Sequence, residues 1–146
     1  MRVTLMRPLA ICFAAAALAV SVPAAAATVH YTAKLDGASE TPPNDSKGTG
    51  NAAVSLDTTA KKISWKITYS GLTGPATMAH FHGPAPAGQA AGVAVPITPP
   101  LASPTHGSAS VTDAQIGDLK AGQWYVNIHT AAHPGGEIRG QLAEHK

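Results

Sequence analysis

Period-two alternation of apolar and polar side chains dominates this chain from residue 28 onward. Over residues 28–35, Val29, Tyr31, Ala33 and Leu35 alternate with His30, Thr32 and Lys34, the pattern of a strand with one buried face. Residues 51–56 and 62–69 read as a hairpin around Asp57-Thr58-Thr59-Ala60. Its second arm sets Ile63, Trp65, Ile67 and Tyr69 inward against Lys62, Ser64, Lys66 and Thr68. Further short strands are predicted at residues 77–82, at 93–97 inside a Pro-rich connection spanning 83–107, and, weakly, at 108–112. Residues 113–120 predict one helical turn or a compact loop with Ile116 and Leu119 facing in. Two strong strands close the chain. In 123–130, Trp124, Val126 and Ile128 face the core while Tyr125, Asn127 and His129 face out; in 137–143, Ile138, Gly140 and Leu142 alternate with Glu137, Arg139 and Gln141. About seven or eight strands at roughly 8–12-residue spacing, with no periodic helix, predict one all-β domain: an antiparallel β-sandwich or Greek-key barrel, with Trp65 and Trp124 dominating its core.

Residues 1–27 break the pattern and read as a secretory signal peptide. Arg2 and Arg7 form its basic start, residues 9–22 are almost continuously apolar, and Pro23-Ala24-Ala25-Ala26-Ala27 offers small-residue cleavage sites. The apolar run is shorter than the ~20 residues of a membrane span. Cleavage near Ala27 leaves a β-domain over residues 28–146 in the periplasm or outside the cell, with no membrane span. The only cysteine, Cys12, goes with the leader. The mature chain then has no disulfide and must be held by its core, a bound ion or a partner. Loss of Arg2 and Arg7 leaves eight basic against eight acidic residues. That balance, without a basic cluster larger than Lys61-Lys62, argues against nucleic acid as a partner.

The histidines carry the candidate chemistry. His80-Phe81-His82 places two imidazoles on one face of a strand, where alternate residues point the same way, and Met78 lies on that face as well. Imidazoles suit copper and zinc, and a thioether shifts the set toward copper. His129, on the non-core face of its strand, and His133, in the following turn, form a second set near Glu137 and Arg139. If the two sets meet, His80, His82, His129 and His133 are metal ligands, with Glu137 or Met78 able to complete the shell. The competing reading is a hydrogen-bonded polar face, with His129 tied to the Pro134-Gly135-Gly136 turn and Glu137 and Arg139 paired or solvated. His30, His106 and His145 are expected in solvent. No Ser, Cys or Thr sits in a nucleophile–His–acid pattern, and no glycine run has the form of a phosphate loop.

Two blocks carry a family resemblance: A-H-F-H-G-P-A-P at 79–86 and W-Y-V-N-I-H-T-A-A-H-P-G-G-E-I-R-G-Q-L at 124–142. With the opening T-V-H-Y-T-A-K-L-D-G-A-S-E-T-P-P, they strongly resemble the CHRD domain, the module first described in chordin and found in many exported bacterial proteins. The resemblance covers roughly residues 28–143. It implies an extracellular or periplasmic β-domain, in chordin part of a protein that binds bone morphogenetic proteins, and it carries no established activity for single-domain bacterial members. The H-x-H strand and the later His-containing turn also look loosely like copper/zinc superoxide dismutases, another β-sandwich. The chain lacks that family's cysteine pair and its bridging-histidine loop with a zinc-binding Asp, so this likeness extends to a single copper site.

Three functions follow, in descending order: an exported binding or structural module without catalytic activity, whose partner is an unidentified protein; a periplasmic copper or zinc binding protein; and an oxidoreductase at the same site, which needs an open coordination position.

Overall fold

A computed structural model of the chain describes residues 27–146. The expected leader lies outside the described residues except for Ala27. Nine strands and one helix follow: Thr28–Asp36 (β1), Thr49–Asp57 (β2), Lys62–Ser70 (β3), Ala76–His82 (β4), Val93–Pro96 (β5), Thr105–Ser110 (β6), Asp113–Lys120 (α1), Tyr125–Thr130 (β7), Ile138–Gln141 (β8) and Ala143–Glu144 (β9). All pairings are antiparallel, in the order β5-β4-β7-β8-β1-β2-β3-β6, with β9 also on β1.

The alternation sets the register. In β1 to β3, Tyr31, Val54 and Trp65 fall opposite one another, as do Ala33, Ala52 and Ile67, so the apolar faces of three strands coincide. The β2–β3 turn is closed by Asp57, whose Oδ1 accepts from the N–H groups of Thr59 and Ala60, while Lys61 takes a positive φ of 50° to turn the chain back. The sheet then rolls over on itself. Trp65 on β3 and Phe81 on β4 lie near opposite ends of the strand order, yet their ring centroids are 5.2 Å apart inside the molecule. Phe81 in turn lies 6.2 Å from Trp124, so the expected pair of tryptophans flanks a central aromatic. The result is a nearly closed barrel.

The short helix lies across the gap between the terminal strands. Thr112 and Gln115 form a reciprocal capping box at its start, and Gln115 Nε2 also donates to the Ala94 carbonyl of β5. Ile116 and Leu119 pack inward as expected. No helix among the described residues is long and apolar enough to cross a membrane.

Most strand ends lie within two residues of the sequence expectation, and two strands depart from it in a way that has a structural reason. The strand expected at 108–112 runs instead from Thr105 to Ser110 along β3. Its stretch T-H-G-S-A-S shows no apolar alternation because Gly107 lies directly on the Trp65 ring, where a side chain cannot fit. The final strand is interrupted at Leu142, whose N–H turns to the Trp124 carbonyl, so β8 and β9 pair with β1 on either side of the break.

Candidate histidine cluster

The outer face of β4, β7 and β8 is polar, but it is not solvated. Cross-strand partners point to the same side of a sheet. Met78 faces His129, His80 faces Asn127, and His82 faces Tyr125; across the next ladder Asn127 faces Arg139 and Tyr125 faces Gln141. The sequence reading put Tyr125, Asn127, His129 and Arg139 outward, and all four are buried. Two connections cover them. Arg139 donates to Thr41 Oγ1 at 2.8 Å and to the Gln89 carbonyl at 2.8 Å, Gln141 donates to the Ala85 carbonyl, and Tyr125 exchanges hydrogen bonds with both backbone groups of Ala91. A second, polar layer therefore lies outside the apolar one.

Three of the four candidate histidines meet in that layer. One ring nitrogen from each of His80, His82 and His129 lies within 4.8 Å of the other two. Nδ1 of His80 is 3.2 Å from Nε2 of His129, and the His80 ring centroid is 5.4 Å from that of His82. The far side of two rings is fixed. Nδ1 of His82 lies 3.0 Å from the Ala91 carbonyl and Nδ1 of His129 lies 2.9 Å from the Pro134 carbonyl. A carbonyl can only accept, so each Nδ1 carries the proton, and in the neutral ring Nε2 is a bare lone pair. Burial pushes the His129 pKa down, outweighing the raising effect of its Pro134 hydrogen bond, and the nearby His82 pushes it lower. Burial, with His129 and His82 alongside, lowers that of His80 as well. The neutral forms are favoured, and their lone pairs converge.

Tyr125 holds the His82 ring in place. The two rings stack at 4.8 Å with an interplanar angle of 3°, and the Arg139 guanidinium lies 3.5 Å over the Tyr125 ring. Asn127 lies at the centre of the layer, its Oδ1 3.0 Å from Nε2 of both His82 and His129. Behind it is Glu40, from the loop after β1. Burial raises the Glu40 carboxyl to about 7, against the lowering effects of the Thr41 N–H, the Arg139 charge and the Asn127 side chain. Asn127 Nδ2 faces this carboxyl without completing a hydrogen bond, leaving the buried Oε1 unpaired.

The sequence blocks that form this layer are those of a known module: the CHRD domain family model matches residues 31–142. The chain belongs to the CHRD domain family. No significant match to a curated protein or to a solved structure was found. Within the family, a binding or structural module is the supported role.

The remaining candidates of this CHRD domain lie elsewhere. His133 is not part of the group: β7 ends at Thr130, and the reciprocal backbone bonds between Thr130 and His133 turn the chain away, setting His133 beside a cleft formed with residues 40–44. Glu137 is fully buried and fully used. It accepts from the hydroxyls of Ser46, Thr73 and Thr130 and from the Thr73 N–H, four hydrogen bonds that tie three segments together. Burial raises its pKa, but these bonds outweigh it and lower the carboxyl to about 2. It is neither paired with Arg139 nor solvated, as the polar-face reading had it. Met78 is on the histidine face but 45% exposed. His30, His106 and His145 are exposed, as expected. Asn127 had been assigned only a face, and Glu40 lay in a loop whose sequence carries no signal of the layer it would join.

Proposed function

We propose that this CHRD domain is an exported binding module whose His80, His82 and His129 take up a single copper or zinc ion. The observation that carries the reading is the convergence of acceptors. With both Nδ1–H groups spent on backbone carbonyls, Nε2 of His82 and Nε2 of His129 present lone pairs beside Oδ1 of Asn127, and Nδ1 of His80, which donates to His129 only in one tautomer, lies 3.2 Å from the second of them. Lone pairs packed in a buried layer repel, and a cation relieves them. Backbone carbonyls holding the distal N–H of ligating histidines are also the usual support of metal sites. The test is the metal content of the purified mature protein after copper or zinc loading, beside a His80→Ala/His82→Ala variant. About one ion per chain, lost in the variant, is expected; near-zero metal in both removes the ion site.

A second reading has its own support. Each ring of the cluster has polar neighbours within hydrogen-bond distance, which supports a layer that is hydrogen-bonded packing of a structural module without an ion. Under that reading no loading occurs. Export rests on the leader pattern of residues 1–27, and recovery of full-length, uncleaved protein from the cytoplasm would count against it.

A further inference from the structure

We infer that Asn127 supplies the fourth donor atom of the histidine site through Oδ1, with Glu40 orienting it, and that this amide makes the site select divalent ions over Cu+. The inference rests on the reading of the three histidines as an ion site. The sequence offered Met78, His133 and Glu137 as completing ligands, and none is suitably disposed: Met78 is largely in solvent, His133 has turned away, and Glu137 is bound by four donors of its own.

Asn127 has the required spacing. A tetrahedral ion with bonds of about 2.0–2.1 Å sets its ligand atoms about 3.3 Å apart. Asn127 Oδ1 is 3.0 Å from Nε2 of His82 and 3.0 Å from Nε2 of His129, and Nε2 of His129 is 3.2 Å from Nδ1 of His80. Three of the six edges of a tetrahedron are thus near the required length, and the three histidine nitrogens, all within 4.8 Å of one another, draw together to close the rest around an ion. The amide is also turned the right way. Its Nδ2 lies beside the Glu40 carboxyl: the unpaired Oε1 and Nδ2 together fill the space that a Cβ on Gly136 would need. In its ionised form this carboxyl only accepts, which keeps the NH2 on its own side and the carbonyl oxygen toward the imidazoles. Gly136 has φ of 127° and no room for a Cβ, which lets the turn pass over both groups.

The consequence is chemical. An uncharged carbonyl oxygen is a hard donor that suits divalent ions and adds little to soft Cu+, which favours sulfur. Among the described residues sulfur is present only at the exposed Met78, so an N3O set gives Zn2+ or Cu2+ preference, whereas recruitment of Met78 gives Cu+ preference.

The experiment titrates the mature protein with Zn2+ and, under reducing conditions, with Cu+, each against a chromophoric chelator, in wild type, Asn127→Ala, Asn127→Asp, Glu40→Gln and Met78→Leu. Asn127→Ala is expected to lower Zn2+ affinity about 10–100-fold while moving Cu+ affinity less than about threefold, the loss typical of a disturbed ligand shell. Asn127→Asp, which places a charged oxygen at the same point, is expected to raise Zn2+ affinity, and Glu40→Gln to lower it by several-fold. Co2+ bound in place of Zn2+ reports the shell through its visible absorption, which changes in both Asn127 variants. Equal losses for both ions in Asn127→Ala, or unchanged Zn2+ affinity and Co2+ spectrum across the Asn127 variants, overturn the inference. Should Asn127→Ala fail to fold, Asn127→Asp and Glu40→Gln decide alone. A wild type that binds neither ion sinks the ion site itself, a result distinct from binding that ignores Asn127.

Discussion

Glu137 illustrates how much a single buried carboxylate can do in a chain without disulfides. Its oxygens accept from Ser46, Thr73 and Thr130, so one side chain joins the loop after β1, the loop after β3 and the end of β7. With a folded pKa of about 2 against 4.5 for the unperturbed carboxyl, the native state holds fewer protons than the unfolded chain between these limits. The contribution to stability is therefore complete above the unfolded value and disappears as pH falls toward the folded one. It amounts to about 3 kcal/mol by linkage. Urea denaturation from pH 2 to 6 should show Glu137→Gln less stable at pH 6 and with a flatter pH profile than wild type. Parallel profiles would mean that the four hydrogen bonds do not favour the ionised form. The same residue shows where sequence reading stops. Alternation from Ile138 gives Glu137 an outward face, but two of its three partner residues, Ser46 and Thr73, come from loops that no periodicity describes.

At the level of elements, β7 is the strand that both layers share. Its inner face carries Val126 and Ile128, with Trp124 just before it, and its outer face carries Tyr125, Asn127 and His129; every residue of the strand is buried. Truncating the inner anchor, Trp124→Ala, should cost about 3–5 kcal/mol in chemical denaturation, the range for a large buried aromatic. A cost below about 1 kcal/mol would place the indole outside the core. At the opposite end of the sheet, Gly107→Ala tests how closely β6 lies on Trp65: its Cβ would enter the indole ring, and the forced shift should cost about 1–3 kcal/mol. The strands were legible because alternation is a local property of an extended chain. The weak strand β6 was not, because a glycine required by the neighbouring tryptophan erases the pattern there.

At the largest scale, the described residues form one rolled sheet with a single helix, and an ion bound as proposed, by the native state alone, would add to stability by mass action. At a free ion concentration about 100 times Kd the gain is about 2.7 kcal/mol, a rise in Tm on the order of 10 °C for a domain of this size. Differential scanning calorimetry with and without Zn2+ checks it, and His82→Ala should show no shift. A Tm indifferent to the ion would leave the polar layer as packing alone. The amino-acid sequence by itself determined the all-β class, most strand positions, the inward faces and the common face of His80 and His82, since each depends on residues one or two apart. The family blocks were equally plain in it. Only the tertiary structure decided that His129, 49 residues beyond His80, joins the pair while His133 does not, because that depends on β4 lying beside β7. It also decided that loops cover the outer face, bringing Glu40 to Asn127. Burial on a strand's second face is set by whatever packs over it, and a two-residue period holds no information about a chain segment arriving from elsewhere.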